Sequence, residues 1–310
     1  MYDIIVVGGG PAGLTAALYG LRNGKTVLII EKNVFGGQIT NSPKVENIPG
    51  FDSISGGEFA DRFLDQVMEQ GGRVMMNEVV QAEAEKGPDG QTVKVVVTLA
   101  DKTTQEGRTL ILAPGTVHRL LGLPGEEELV GEGISFCAVC DGDYYRDGTV
   151  CIIGGGNSAF VEANLLVEIV EKLIVLQDLP FFTAEQRQQD ILFSHDNVET
   201  HVSTKILGYE TEEGVLKGVR YEENGREMIA RCDGVFLAVG LIPDNKPFEN
   251  VAVLDKWGYF DAGEDALCRT PGVFVAGDAR AKSLRQVTTA CADGAVAAIA
   301  ACDYIRNLGP

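Results

Sequence analysis

"IIVVGGGPAGLTAALYGLRNG", residues 4–24, decides the fold. Its opening run of Ile and Val has no polar interruption, which reads as a strand buried on both faces of a parallel sheet. Clustered glycines follow, and then a helical pattern that stops at Asn23-Gly24. "KTVLIIE" (25–31) supplies the next strand, so the unit reads strand, tight turn, helix, strand. That is the dinucleotide-binding arrangement. In Gly8-x-Gly10-x-x-Gly13 the first glycine permits the turn. The second lets backbone approach a pyrophosphate, and the third allows close helix–strand packing. The helix N-terminus supports the phosphates through unpaired N–H groups. Glu31 stands 23 residues after Gly8, at the end of the second strand, placed to accept from ribose hydroxyls.

The same grammar returns at "TVCIIGGGNSA" (149–159), with a helix expected over "FVEANLLVEIVE" (160–171) and a strand over "KLIVLQ" (172–177). Gly154 follows Gly8 by 146 residues, a spacing that indicates a duplicated domain rather than a short repeat. Between the units lie a helix ("GEFADRFLDQVMEQGG") and strand-rich segments, and the chain ends in a strand, a loop and a long helix. Pro114-Gly115 and Ile242–Asn245 read as the crossings. The expected fold class is α/β, two Rossmann-like (three-layer ββα-type) dinucleotide-binding domains with one inserted in the other. Residues 1–113 and 246–310 form the discontinuous domain and 117–243 the inserted one.

Composition limits the function. The 310 residues carry 26 basic and 45 acidic side chains, a net charge of −19, which argues against nucleic-acid binding. No apolar run is long enough to span a bilayer. Met1-Tyr2-Asp3 leads directly into the first strand without a basic leader, so a cytoplasmic enzyme is expected. The seven cysteines are odd in number and irregular in spacing, unlike a secreted disulfide framework. Cys151, Cys232, Cys268, Cys291 and Cys302 read as isolated thiols packed as small hydrophobes. Cys137 and Cys140 alone form a Cys-x-x-Cys pair, and without a nearby His or second pair no metal is expected there. The spacing allows a small disulfide ring to close and reopen. Asp141 is the adjacent candidate to move the proton that thiol exchange requires. The pair also admits a plainer reading as two buried structural thiols.

"FCAVCDGDYY" lies just before the second glycine turn. Together with "GGQITNSPKVENIPGF" (36–51), "LPGEEELVGEGISF" (123–136) and "VFVAGDARAKSLRQVTTACADGAVAA" (273–298), it resembles the low-molecular-weight thioredoxin reductases, FAD-dependent disulfide oxidoreductases. The resemblance covers nearly the whole chain, with the motifs in order. It implies that Gly8, Gly10, Pro11, Ala12, Gly13 and Glu31 hold the adenosine end of FAD. Gly36, Gly37, Gln38 and Asn47 would lie along the isoalloxazine. Gly277 and Asp278 would take the ribityl and pyrophosphate region, with Arg285, Gln286 and Val287 near the flavin ring. Cys140 would face the flavin, Cys137 would attack a thioredoxin-like partner, and Asp141 would be the acid. A homodimer and a rotation of the inserted domain about its crossings are implied as well. Pro114 departs from the family's usual small or polar residue in "APG".

The second turn, Gly154-x-Gly156-x-x-Ala159, leaves the electron donor open. Gln177 occupies the slot that Glu31 fills in the first unit, and Asp178-Leu179-Pro180-Phe181-Phe182 follow. A 2′-phosphate prefers guanidinium donors, but the first cation is Arg187, so NADPH is disfavoured. Asp178 could read a 2′-hydroxyl of NADH, Pro180–Phe182 could fill a vestigial pocket, or residues from elsewhere could serve NADPH. Simple core packing at a strand end is the favoured reading of the phenylalanines themselves, even in a nucleotide-binding enzyme. Here the chain resembles the ferredoxin-dependent flavin thioredoxin reductases, in which reduced ferredoxin feeds the flavin. Arg280, Lys282 and Arg285 could form a basic patch that steers an acidic carrier. The plainer alternative gives Arg285 to FAD and leaves the other two as ordinary surface charges. Two functions compete with the reductase: a redox-sensing or electron-transfer flavoprotein, and a reductase serving a peroxiredoxin.

Overall fold

A computed structural model of the chain describes residues 1–42 and 45–308. Pro43 and Lys44 of the 36–51 motif, and Gly309 and Pro310 at the end of the discontinuous domain, lie outside the described residues. The chain opens with β1 (Tyr2–Val7), α1 (Pro11–Arg22), β2 (Val27–Glu31), α2 (Gly56–Glu69) and β3 (Arg73–Met76). β4 (Val79–Lys86), β5 (Thr92–Leu99), β6 (Thr104–Leu112) and β7 (Thr116–His118) follow. Next come α3 (Glu126–Leu129), β8 (Ile134–Ser135), α4 (Ala138–Asp141), β9 (Thr149–Ile153), α5 (Asn157–Leu166), β10 (Lys172–Leu176) and α6 (Gln186–Leu192). β11 (Val198–His201), β12 (Thr204–Glu212), β13 (Val215–Glu223), β14 (Arg226–Arg231), β15 (Gly234–Leu237) and β16 (Leu241–Pro243) lead to β17 (Val273–Val275) and α7 (Val287–Leu308). Two compact units result, one of residues 1–117 and 242–310, the other of residues 118–241. The short strands β7 and β16 pair with each other.

In the first unit β3, β2, β1 and β6 are parallel neighbours. The far edge of β6 is shared: residues 104–107 pair antiparallel with β5, and residues 110–112 pair parallel with β17. Alternation along the strands sorts the core into two layers. Ile4, Val6, Val27 and Ile29 pack with α1 and α7, whereas Ile5, Val7, Leu28 and Ile30 pack with β4, β5 and the 248–260 segment. Pro11 at the first turn of α1 loses no needed hydrogen bond there. Ser55 caps α2 by accepting from Glu58 N at 3.1 Å.

The second unit repeats the plan with a parallel sheet, β11-β10-β9-β15-β8, and an antiparallel β12-β13-β14 ribbon. Val150, Ile152, Leu173 and Val175 face α5, and Cys151, Ile153, Ile174 and Leu176 pack with Leu216, Val219 and Tyr221 of the ribbon. α5 stops at Leu166, short of the expected 171. The cause lies far along the chain: Asn197 Nδ2 donates to the carbonyls of Val167 (3.0 Å) and Val170 (3.1 Å), satisfying groups that an ending helix exposes.

Glu126 is 2% exposed. Its carboxylate accepts from Gly122 N at 2.7 Å, Leu123 N at 3.3 Å and Tyr209 Oη at 2.6 Å. Replacing it with alanine strands three donors, at a cost of about 3 kcal/mol. A chemical-denaturation midpoint that falls accordingly is expected, and an unchanged midpoint would refute this anchoring role.

Candidate active site

The first glycine turn is built by contact. Gly8 has φ +102°, and a Cβ there would lie 2.0 Å from Ala113 O; one on Gly13 would lie 1.9 Å from Gly8 O. Gly10 precedes α1 in extended conformation, and Pro11 and Ala12 open the helix. Glu31 is buried and turned to the backbone, accepting from Gly9 N at 2.6 Å and Asn33 N at 2.8 Å. Each oxygen keeps a second lone pair for a hydroxyl. Gly36 N donates to Gly9 O at 2.8 Å, which ties the following loop to the turn. Gly37 and Gln38 begin a short 3₁₀ turn, and Gln38 Nε2 donates to Thr116 O at 3.3 Å.

The C-terminal motif belongs to the same unit. Asn47 Nδ2 donates to Gln286 Oε1 at 2.9 Å, and Val287 packs against Val45, Ile48 and Ile54. Arg285 Nε donates to Asp278 O at 3.2 Å, and its guanidinium lies 4.1 Å from the Tyr259 ring centroid. Asp278 Oδ1 is buried and has no hydrogen-bond partner among the described residues. Burial pushes the Asp278 carboxyl up, and Lys282 and Arg285 partly oppose that shift. Such an oxygen is costly unless a donor arrives.

Arg280 and Lys282 do not form a basic surface patch, and they are not ordinary surface charges. Their side chains are 5% and 6% exposed, and both pair with Asp293 at 2.9 Å. Asp293 also accepts from Gly277 N at 3.0 Å, so this one carboxylate anchors the whole loop. The sequence reading missed it. A lone aspartate in the alanine-rich face of α7 was the available signal, because a buried charge needs a partner.

In the second unit Cys137 and Cys140 form a disulfide with Cα atoms 5.3 Å apart. Cys137 is buried and Cys140 exposed. Cys140 N donates to Cys137 Sγ at 3.1 Å. Ser135 Oγ accepts from Cys137 N at 3.0 Å and donates to Asp141 Oδ2 at 2.6 Å, tying Asp141 to the backbone of the pair. Glu162 Oε2 accepts from Ala138 N. Ser135 and Glu162 are further residues that the sequence did not single out. Cys151 and Cys232 are free, buried thiols that pack in one apolar cluster, and burial pushes Cys151 well up. Burial also pushes Cys268 up to about 12.

The loop after β10 is folded against the second glycine turn. Gln177 is 4% exposed and donates through Nε2 to Phe181 O at 3.2 Å. Thr183 N and Ala184 N donate to Gly155 O at 2.8 and 3.1 Å, as Gly36 N does to Gly9 O in the first unit. Asn157, at the start of α5, accepts from Glu185 N at 2.7 Å and donates to Glu185 Oε1 at 3.5 Å. Pro180-Phe181-Phe182 do not act as a block. Phe181 is 58% exposed, whereas Phe182 packs on Phe160 and Phe193 with centroids 5.1 and 5.8 Å away. Asp178 and Arg187 are exposed.

The model of one protein family, described as pyridine nucleotide-disulphide oxidoreductase, matches residues 2–294. A thioredoxin reductase of Listeria monocytogenes is 38% identical over 310 residues, which cover 99% of this chain and 95% of the relative. A Bacillus subtilis thioredoxin reductase is 34% identical, with 99% and 96% covered. The crystal structure of Lactococcus lactis thioredoxin reductase matches with a TM-score of 0.93 at 30% identity, covering 99% of this chain and 100% of that one. The fold is therefore the mixed α/β fold of these enzymes, with two Rossmann-like domains. Because the family match runs from the first strand into the last helix, the chain belongs to the pyridine nucleotide-disulphide oxidoreductase family.

Proposed function

We propose that this protein is an FAD-dependent thioredoxin-disulfide reductase of the cytoplasm, working as a homodimer. The observation that carries the reading is the Cys137–Cys140 disulfide, one cysteine buried and the other exposed, in a chain whose other unit carries a nucleotide cradle. FAD fits that cradle: the unpartnered Asp278 Oδ1 calls for a hydroxyl donor, which a ribityl chain provides. Gly8, Gly10, Pro11, Ala12, Gly13 and Glu31 hold the adenosine end. Gly36, Gly37, Gln38 and Asn47 lie along the ring system, Gly277 and Asp278 bind the ribityl and pyrophosphate region, and Arg285, Gln286 and Val287 flank the flavin. When bound, FAD supplies a carrier that passes electron pairs to a disulfide and accepts them one at a time from a one-electron donor.

The protein's own residues perform the exchange. In the reduced pair, the Cys137 thiolate attacks one sulfur of the thioredoxin disulfide, that S–S bond breaks, and the released sulfur takes a proton. Cys140 then attacks Cys137 in the mixed disulfide, re-forms the 137–140 bond and releases the second thioredoxin thiol. Asp141, held by Ser135 Oγ at 2.6 Å, moves the proton between these sulfurs. The apolar face of Tyr19 on α1 with Val296 and Ile299 on α7, each 41% exposed, supports the homodimer. The five cysteines outside the disulfide suit a reducing compartment.

The donor in this proposal is reduced ferredoxin, not NADPH, although the family takes its name from a pyridine nucleotide. The Glu185 carboxylate accepts from Asn157 Nδ2, the side chain of the first residue of α5, where a pyrophosphate would need unopposed N–H groups. Buried Gln177 and exposed Asp178 offer no cation to a 2′-phosphate. With Arg280 and Lys282 paired to Asp293, the patch expected from them does not argue for an acidic carrier, and the second turn carries the donor assignment. Exposed Asp178 favours NADH, with atypical ribose recognition, as the second reading.

Anaerobic titration of the flavin absorbance with NADPH, NADH and chemically reduced ferredoxin tests the donor. Rapid bleaching by ferredoxin alone is expected. Rapid bleaching by a nicotinamide would make the second turn a working site.

A further inference from the structure

Two peptide N–H groups of the turn that carries Cys137 are used differently. Cys140 N donates to Cys137 Sγ at 3.1 Å. Ala138 N, on the peptide that follows Cys137, is committed instead to Glu162 Oε2, a carboxylate brought in by α5 from 24 residues away. Glu162 is partly buried; burial pushes its carboxyl up, and the Ala138 amide draws it back in part. Titratable side chains on the elements packed against α5 are Cys140 and Asp141 on α4, Arg187 and Asp190 on α6, and Cys151 on β9. Asp143 and Tyr145 lie in the turn after α4. Of these, the disulfide sulfurs are the groups that gain charge when the Sγ–Sγ bond is opened by two electrons.

Amide donors stabilise a thiolate, and a thiolate stabilised too far becomes a weak nucleophile. We propose that Glu162 is a positioning residue that tunes Cys137: it holds the Ala138 peptide through its N–H and sets a negative charge one peptide away from the sulfur. The neighbouring carboxylate opposes ionisation of the reduced Cys137 thiol, and the more basic sulfur is the stronger nucleophile. The purpose of this device rests on the reductase reading, but its measurement does not.

The test uses holoenzyme reduced with dithiothreitol, desalted anaerobically and alkylated with iodoacetamide across a pH series, with Cys137 modification read by peptide mass spectrometry. Glu162→Gln keeps an acceptor for Ala138 N and removes the charge. Its Cys137 inflection is expected to fall by about one pH unit, and its plateau rate by about threefold, as nucleophilicity follows basicity. Glu162→Ala shifts the inflection in the same direction, because it removes the same charge. A merely structural role would lower thermal stability and leave the inflection in place, and that result in either variant overturns the proposal. In the wild type the same curve carries a second, lower inflection where Glu162 takes its proton. Its absence contradicts the coupling whether or not the variants fold. A shift without thioredoxin turnover would sink the reductase reading and leave the role of Glu162 intact; turnover without a shift would do the reverse.

Discussion

Cys140→Ser is expected to abolish catalytic reduction of a thioredoxin disulfide, by about 10⁴-fold, while the donor still bleaches the flavin at an unchanged rate. The two sulfurs act as one unit. Without Cys140 the Cys137–Cys140 bond cannot form, so electrons have no disulfide to enter and a mixed disulfide at Cys137 cannot be resolved. Residues that act as a unit give non-additive losses. Cys137→Ser should therefore cost about as much, and the double variant little more. Steady-state release of thioredoxin thiols checks the turnover, and stopped-flow flavin absorbance checks the separate step. Catalytic turnover by Cys140→Ser would refute the exchange route. Serine is close to cysteine in size, and Cys140 is exposed, so loss of fold is not a competing explanation.

Gly13→Val carries the second large effect. A Cβ at this position would sit 1.9 Å from Gly8 O and 3.0 Å from Gly8 C, both backbone atoms of the turn itself. No rotamer relieves that clash, so either α1 moves away from β1 or the turn opens. Either movement spreads the amides that a pyrophosphate needs. The purified variant should carry less than about one-tenth of the wild-type flavin, and its apoprotein should be destabilised by about 4 kcal/mol or more, the range of severe core overpacking. Flavin content by absorbance and a denaturation midpoint measure both. Gly57→Ala on α2 is the matched control. A Cβ there meets nothing within 4 Å, and alanine should stabilise the helix by about 0.5 kcal/mol without changing flavin content. Full flavin content in Gly13→Val would remove the first turn from the cofactor site.

What could be read in advance depended on how far apart the interacting residues lie. The two glycine turns were legible because strand, turn and helix sit within one short window, where spacing alone carries the geometry. The repeat at Gly154 gave the duplication for the same reason. Partners distant in sequence were not legible. Arg280 and Lys282 read as surface charges because their neutralising partner, Asp293, arrives on a separate helix. Glu162 reads as an ordinary helical glutamate until folding brings Ala138 N to it. The early end of α5 depends on Asn197, about thirty residues downstream. The phenylalanines after Gln177 mislead in another way. Adjacent side chains after a strand point in different directions, so Phe182 enters the core and Phe181 meets solvent.

The central claim is that this flavoprotein turns over a thioredoxin disulfide through Cys137 and Cys140. The most direct measurement is anaerobic turnover of oxidised thioredoxin by catalytic amounts of holoenzyme, with reduced ferredoxin, NADH and NADPH supplied separately. Thioredoxin thiols should appear with ferredoxin, two for each electron pair consumed, and should vanish in Cys140→Ser. A flavin that is reduced while thioredoxin stays oxidised with every donor would contradict the account and leave a redox-sensing or electron-transfer flavoprotein in its place.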